Sequence, residues 1–568
     1  MDRITKSYLN EFRVKFDFEK EITQDVLFEH FVNYTLLEKK VDESLDDETI
    51  EKINIGKNGT IGIDGFAILL NGHLVFNTDD IDLILDNNKK SIAEIYFIQS
   101  KTSTSFENKE ISSFGNAILD FISEEQSYKW SKNAIEKIEL FNHLISRVSD
   151  LIENPNCYLY FVCLGKNNED RNVNATKSKI LADINSQRIF AKTSLGYVDY
   201  TNLQNEYKKI GQNIFKTFEF QKRTLIPDID NVKEAYIGVV PVTTIIKLIT
   251  DEDENLISSI FYDNVRDFQG VNKINEEIRK TLNNENLKYA FSVLNNGITI
   301  VAEKLTPSRD NVTIHNYQVI NGLQTSHILF NSKDLLDDKI FVPLKLIITQ
   351  DENLISKIIR STNRQTEVKE EDLIAYSDFQ KRLEDYYKTF NDKEKLFYER
   401  RSKQYNNLQI DRKNIVDKST QIKVIGSMFF YKPNIATRFF GALFNEFGNE
   451  LFAQNHKMLP YYTSAFTYHK LEELFRSNFI EKKYKKIRFF ILMMIKFEID
   501  KSKCPSFESK KSEDFCNRIL EKVNNEVEFK VIVENVIQKI NSLNLDLESN
   551  EISKSTKLVV DCKKFYFK

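Results

Sequence analysis

Ser91–Thr104, SIAEIYFIQSKTST, is the stretch that decides the fold of the N-terminal part of this chain. Its apolar and β-branched residues predict a buried strand. Side chains in a strand alternate between its two faces, so Gln99 and Lys101 are expected to point to the same side. Burying an amide and an ammonium is costly unless a partner uses them, and the upstream run Ile61–Gly65 offers the carboxylate of Asp64. The sequence therefore predicts a site made of Asp64, Gln99 and Lys101.

The composition is that of an ordered, multidomain protein. A chain of 568 residues exceeds what one hydrophobic core usually covers, so we expect two to four domains of roughly 100 to 200 residues each. The 43 phenylalanines and 24 tyrosines, against 16 glycines and 8 prolines, argue against long disordered linkers. A net charge of −4 does not announce a nucleic-acid partner, although basic residues concentrate at 482–488. A solvated helix face explains that cluster equally well.

Cysteine usage and hydropathy predict a cytoplasmic protein. The five cysteines include no CxxC pair, and two of them lie in the apolar run CYLYFVC, as expected of reduced core residues. The first residues are polar and charged, and no uninterrupted apolar run approaches the roughly 18 residues of a membrane span. We therefore expect neither export nor membrane insertion.

The strand predicted in Ser91–Thr104, here called the central strand, lies within a regular order of helices and strands. Asn71-Gly72 is a strong hairpin signal between two of the strands, and Thr23 is a suitable N-cap for the first helix, which carries Glu29. The predicted elements are a helix at Thr23–Lys39, strands at Thr60–Leu70 and His73–Phe76, the central strand, helices at Ile111–Phe121 and Trp130–Ile152, and a strand at Cys157–Leu164. When the two successive helices are counted as one helical segment, the order is helix, three strands, helix and strand.

This order, with Asp64 followed by Gln99-Ser100-Lys101, resembles the PD-(D/E)xK nuclease superfamily in its QxK variant, across residues 20–165. The resemblance implies a restriction-endonuclease-like αβββαβ core and a catalytic set of Asp64, Gln99, Lys101 and Glu29. The residue before Asp64 is Ile63, so the proline of the eponymous motif is absent.

The chemistry of a divalent cation explains the same residue types. Mg²⁺ or Mn²⁺ prefers oxygen ligands, which Asp64, the Gln99 amide, the Ser100 backbone carbonyl and Glu29 could supply. Lys101 would orient the attacking water and counter developing phosphate charge. The alternatives are a strand end that reaches solvent, for Gln99 and Lys101, and a helical glutamate at the edge of an apolar face, for Glu29.

A second informative run is Tyr289–Phe330. Here Asn295-Asn296-Gly297 is predicted to join two apolar strands as a turn, and a strand ending at Asn321-Gly322 leads into a helix that starts near Gln324. A glycine turn before a helix N-terminus can present backbone N–H groups to an anion. The simpler alternative is that Asn-Gly only ends a strand.

Four ordered motifs, NNGITI, VINGLQT, STNRQTEV and YERR, resemble the AIPR family, named for abortive infection phage resistance, over residues 236–430. VINGLQT and NRQT are also similar to segments of DGQHR and ParB-like proteins, which implies a pocket for a nucleotide or nucleic acid. Gln324-Thr325 stands where DGQHR proteins have His-Arg. The implied ligand-binding residues are Asn321, Gly322, Gln324, Thr325, Asn363, Arg364, Gln365, Arg400 and Arg401.

The sequence as a whole predicts an α/β and α+β multidomain protein. We expect a nuclease-like domain at 1–165, a connector at 166–235, an AIPR core at 236–430 and a helical region at 431–568. The expected function is that of a metal-dependent nuclease of prokaryotic antiphage defence, with DNA favoured over RNA and the AIPR region as sensor or regulator. The alternatives are a non-catalytic regulator that binds nucleic acid or nucleotide, and a scaffold; a homodimer stays open.

Overall fold

A computed structural model gives the protein as two compact units. Unit 1 comprises Met1–Val14 and Lys20–Asp372, and unit 2 comprises Lys15–Glu19 and Leu373–Lys568. The structure describes residues 1–19, 21–56, 62–88, 90–166, 171–210, 214–251, 254, 256–261, 273–333, 336–362, 378–391, 394–400, 403–405, 410–437, 441–547 and 549–567.

The first half of unit 1 is built on a five-stranded mixed sheet. Its elements are α1 Arg3–Lys15, α2 Gln24–Leu37, α3 Asp47–Ile53, β1 Gly65–Leu70, β2 His73–Val75, α4 Thr78–Asn87, β3 Ala93–Lys101, α5 Asn108–Phe121, α6 Lys132–Ser146, β4 Asn156–Cys163, α7 Arg171–Ser186, β5 Lys192–Val198 and α8 Tyr200–Ile210. The strand order is β2-β1-β3-β4-β5. β1 pairs antiparallel with β2 and β3, whereas β3, β4 and β5 run parallel.

Several local predictions are confirmed in this sheet. Leu70 pairs with His73 across a two-residue turn in which Asn71 has φ 51° and Gly72 has φ 87°, the backbone that an Asn-Gly hairpin requires. The Thr23 side chain accepts a hydrogen bond from the Val26 N–H and so caps α2. The predicted order of helices and strands occurs, and β5 follows it. The restriction-endonuclease-like identity of this core stays a prediction.

The second half of unit 1 is built on a six-stranded sheet of order β6-β10-β9-β11-β8-β7. Its elements are β6 Phe215–Glu219, β7 Arg223–Leu225, β8 Glu234–Pro241, α9 Val242–Ile249, α10 Lys273–Asn283, α11 Phe291–Leu294, β9 Ile298–Ser308, β10 Asn311–Asn321, α12 Leu323–Asn331, β11 Phe341–Ile348 and α13 Glu352–Thr362. β9 and β11 are parallel, and the other pairs are antiparallel.

Two features of unit 1 differ from what the sequence suggests. Residues 166–235, expected to be a connector, supply β5 to the first sheet and β6 and β7 to the second; these edge strands bury few side chains, so their composition is that of a loop. The prediction of a strand before Asn295 is wrong, because Phe291–Leu294 forms the short helix α11. Only Phe291 of that helix is buried.

Unit 2 is mostly helical around an aromatic core, as predicted for residues 431–568. Its elements are α14 Asp378–Tyr387, β12 Phe397–Glu399, β13 Ile415–Asp417, α15 Lys418–Met428, α16 Pro433–Ala436, α17 Gly441–Phe447, α18 Leu459–Arg476, α19 Arg488–Ile499, α20 Lys510–Asn524, α21 Glu526–Asn541 and α22 Thr556–Lys564. The N-terminal residues of this unit are held by ion pairs, of Asp17 with Arg476 at 3.5 Å and of Glu19 with Lys482 at 2.5 Å.

Two general expectations can be compared with the structure. All five cysteines are free, and four of them are buried. Within the described ranges, no helix combines the length and the apolar character that crossing a membrane would need.

Candidate metal-binding site

The backbone fixes Asp64 beside the end of β3. Its N–H donates to the Ile98 carbonyl at 2.9 Å, and its own carbonyl accepts from the Ile55 N–H at 2.8 Å. The antiparallel register pairs Gly65 with Ile98, so the residues one step further, Asp64 and Gln99, are neighbours across the two strands. The predicted convergence of these two residues is therefore a direct result of the strand pairing.

One oxygen of Asp64 receives three hydrogen bonds. Its Oδ2 accepts from Gln99 Nε2 at 2.5 Å, from the Ser100 N–H at 2.8 Å and from Ser100 Oγ at 3.1 Å. The side chain is buried, with 9% of the residue exposed. These donors fix the orientation of the carboxylate and leave Oδ1 to face away from them.

Glu29 reaches the same place from α2. Its Oε2 accepts from Asn54 Nδ2 at 2.7 Å. A Cβ atom added to Gly56 would lie 3.2 Å from this oxygen and 3.1 Å from Asp64 Oδ1. Both carboxylate oxygens thus lie close to the position that a side chain of residue 56 would take, and this position is here called the space at Gly56.

Lys101, the last residue of β3, lies at the rim. Its Nζ is 3.0 Å from Oε2 of Glu110 on α5, and its side chain is 38% exposed. The positive charge of Lys101 lowers the pKa of Asp64, so the ammonium lies within electrostatic reach of the carboxylate. Its direct partner in the structure, however, is Glu110.

The cluster is short of positive charge. Burial raises the pKa of Asp64 to about 7, and the negative charge of Glu29 adds to the rise; the Ser100 hydrogen bonds and Lys101 offset only part of it. Without a cation, the Asp64 carboxyl therefore holds a proton for much of the time near neutral pH. A bound cation would take the place of that proton.

The residues present fit a hard divalent cation. Gln99 Oε1 is buried and, among the described residues, has no hydrogen-bond donor. Asp64 Oδ1 and Glu29 Oε2 border the space at Gly56, and the Gln99 amide is bonded to the same Asp64 carboxylate, so the cluster offers the oxygen ligands that Mg²⁺ or Mn²⁺ prefers. The described ranges contain no group of three His, Cys, Asp or Glu residues that could hold a metal ion. The cluster at Asp64 has two carboxylates and an amide instead. Ligation through the Ser100 carbonyl stays a prediction; Ser100 contacts Asp64 through its N–H and hydroxyl.

The pKa of Asp64 predicts that Mg²⁺ affinity depends on pH. Below about pH 7 the cation must displace a proton, so affinity should fall by up to about tenfold per pH unit, and it should level off above about pH 8. The stability of the metal-free protein should change with pH in the opposite direction. Because the pKa of the Asp64 carboxyl is raised in the folded state, the free energy of unfolding should fall as the pH rises from about 4 to about 7. Calorimetric Mg²⁺ titrations over this range test the prediction, and a pH-independent affinity would contradict it.

Sequence reasoning missed three residues around this cluster. Asn54 contacts Glu29, Gly56 leaves the space open, and Asn33 packs on the backbone beside Asp64. Asn33 is fully buried, neither atom of its amide has a hydrogen-bond partner within the described chain, and a Cβ at Gly65 would lie 2.2 Å from its Oδ1. The available signal was the spacing of four residues between Glu29 and Asn33, which puts both on one face of α2.

The NNGITI and VINGLQT motifs meet in the second sheet. Asn295 Nδ2 donates to Thr325 Oγ1 at 3.3 Å, and Asn295 Oδ1 accepts from the Gly297 N–H at 2.8 Å. Gly322, with φ 98°, precedes α12 as predicted, and a Cβ there would lie 2.9 Å from the Gly297 carbonyl oxygen. The close packing of these two glycines places Asn321, Gly322, Gln324 and Thr325 around the N-terminus of α12.

Of the other predicted ligand residues, the structure describes Arg400. Asn363, Arg364, Gln365 and Arg401 lie outside the described residues. Arg400 belongs to unit 2, where its side chain is 1% exposed and its Nε lies 3.2 Å from Glu384 Oε2. A ligand could reach this guanidinium only if the buried ion pair opened.

These features define a mixed α/β protein of two units, with a carboxylate–amide cluster on one sheet and paired glycine motifs on the other. The family model described as AIPR protein matches residues 261–551. The match covers more than half of the chain, which therefore belongs to the AIPR family, and membership implies a role in abortive-infection phage defence. It extends past residue 430 into the helical region and does not include the Asp64 cluster. No curated protein and no solved structure matches the chain.

Proposed function

We propose that this AIPR protein is a metal-dependent nuclease whose N-terminal part hydrolyses nucleic-acid phosphodiesters, with the AIPR region as sensor or regulator. The observation that carries the proposal is the space at Gly56, bordered by Asp64 Oδ1 and Glu29 Oε2, beside a Gln99 amide whose buried oxygen has no hydrogen-bond donor in the described part of the chain. The proposed setting is the cytoplasm, with DNA favoured over RNA as substrate. A homodimer is compatible with this proposal.

In the proposed mechanism Asp64, Glu29 and Gln99 would hold Mg²⁺ or Mn²⁺. Bound there, the cation would supply Lewis-acid polarisation of the phosphate and a more acidic water. The chain's own residues prepare the geometry: the Ser100 N–H and hydroxyl keep Asp64 Oδ2 occupied, so that Oδ1 faces the space at Gly56. Lys101, being partly exposed, can contact the substrate phosphate and stabilise its developing charge.

Asp64→Asn tests this assignment through metal binding as well as activity. The substitution keeps the size of the side chain and removes its charge, so we expect Mg²⁺ or Mn²⁺ affinity to fall by at least about tenfold and metal-dependent cleavage to be lost. Isothermal titration calorimetry gives the affinity, and plasmid, linear DNA and RNA with and without Mg²⁺ give the activity. The control is Glu153→Gln, at an exposed carboxylate after α6. Unchanged metal affinity in Asp64→Asn would refute the site.

A second candidate function rests on the meeting of the NNGITI and VINGLQT motifs. Asn295 and Thr325 contact each other beside the N-terminus of α12, where backbone N–H groups can receive an anion. In this alternative the protein is a non-catalytic regulator that binds nucleic acid or a nucleotide. The two functions are separated by one comparison: a regulator would bind its ligand and leave DNA and RNA intact in Mg²⁺ or Mn²⁺.

A further inference from the structure

Lys101 and Glu110 form an ion pair at the rim of the candidate metal site. Lys101 Nζ lies 3.0 Å from Glu110 Oε2, and the two side chains are 38% and 42% exposed. The pair joins the end of β3 to the first turn of α5. The residue expected to meet the substrate phosphate is thus already paired with an anion of the protein.

The backbone around this pair is well anchored. Ile111 and Phe114 of α5 are fully buried, and a Cβ at Gly115 would lie 2.6 Å from Ile180 of α7. In the loop before α5, the carbonyl oxygens of Ser103 and Ser105 each lie 3.1 Å from Cys163 Sγ. Glu110 can therefore leave Lys101 by a rotation of its own side chain, without a movement of the helix.

An exposed ion pair is also easy to exchange. Such pairs are weak because water screens both charges, so a phosphate brought to the site by a bound nucleic acid can compete with the carboxylate for the ammonium. We propose that Glu110 occupies Lys101 in the free protein and yields it to a backbone phosphate of the substrate, so that Glu110 limits how tightly nucleic acid binds. This inference rests on the proposed function.

The exchange has two measurable consequences. Removing the Glu110 charge should tighten binding about twofold to fivefold, the scale of one weak ion pair. It should also steepen the salt dependence. In the native protein the phosphate replaces the Glu110 carboxylate at Lys101. Without that carboxylate, the contact between Lys101 and the phosphate releases one more counterion. The slope of log K against log salt should therefore become steeper by about 0.9.

Glu110 also lies in the first turn of α5, where any acidic side chain stabilises the helix through its dipole. Glu107 provides a matched control, because it is an exposed glutamate at the N-cap of the same helix and contacts Ser105. A general effect of negative charge near α5 would appear equally in Glu107→Gln and Glu110→Gln. The exchange predicts a gain in Glu110→Gln alone, and its disappearance when Lys101→Met is added.

The experiment measures binding of a fluorescein-labelled DNA duplex, and of RNA of the same sequence, in EDTA at several salt concentrations. Binding is thereby read without hydrolysis, and cleavage in Mg²⁺ is assayed separately. Tighter binding and a steeper slope in Glu110→Gln support the inference even if no cleavage occurs. The absence of cleavage would contradict only the proposed nuclease function. Unchanged binding in Glu110→Gln, or an equal gain in affinity in Glu107→Gln, overturns the inference. If the wild type cleaves DNA or RNA, the proposed nuclease function still stands. A wild type that binds neither DNA nor RNA overturns both.

Discussion

Lys101→Ala is expected to lower the rate of metal-dependent cleavage by about a hundredfold to a thousandfold, the usual cost of removing one group that stabilises transition-state charge. The fold should survive, because Lys101 is the last residue of β3 and its side chain is partly exposed. Metal affinity should change little, since the ammonium is not a ligand. The measurement is the single-turnover rate on DNA in Mg²⁺, together with thermal unfolding of both proteins.

The matched control for this variant is Lys109→Ala, in the first turn of α5 and exposed. It removes one positive charge close to the site in sequence, and it leaves the ammonium beside Asp64 in place. We expect Lys109→Ala to cut at nearly the wild-type rate. Cleavage by Lys101→Ala at the wild-type rate would rule out the proposed role of Lys101.

Gly297→Ala is expected to destabilise unit 1 by about 2 to 5 kcal/mol. Gly297 has φ 77°, which strains a residue with a side chain, and its added Cβ would lie 2.3 Å from the carbonyl oxygen of Pro343 on β11. Because this contact involves backbone on both sides, a rotamer change cannot relieve it. Chemical denaturation followed by fluorescence would give the change in the free energy of unfolding.

Gly448→Ala separates the two causes of that loss. Gly448 also has a positive φ, of 45°, but a Cβ there would have no atom of the described residues within 4 Å apart from its chain neighbours. Its cost should therefore be that of the backbone conformation alone, about 1 kcal/mol. If both alanine variants lose the same stability, the close contact between the NNGITI turn and β11 is not what requires glycine at residue 297.

Local patterns made part of the fold predictable. The Asn71-Gly72 turn and the Thr23 cap each act over a few residues, and the apolar run of β3 identifies a strand by itself. The edge strands β5, β6 and β7 could not be predicted in this way, because their pairing with a neighbour and not their own apolar content makes them strands. The helix α11 was missed because a run of four residues, three of them apolar, fits a helical turn as well as a strand.

Local patterns likewise predicted some contacts of the candidate site and not others. Asp64 and Gln99 could be placed together from the resemblance and from the alternation of side chains along β3, and the structure joins them by a hydrogen bond. The contacts of Asn54 with Glu29 and of Glu110 with Lys101 depend on how helices dock against the sheet. No periodicity in the sequence encodes that docking, so these two partners became visible only in three dimensions.

Unit 2 includes Lys15–Glu19, although the rest of it begins only at Leu373. Asp17 and Glu19 pair with Arg476 and Lys482, which leave the ribosome more than 450 residues later. During synthesis Asp17 and Glu19 therefore lack these two partners until most of the polypeptide has been made. A truncation that starts after residue 19 would likewise deprive unit 2 of contacts that residues 373–568 cannot replace.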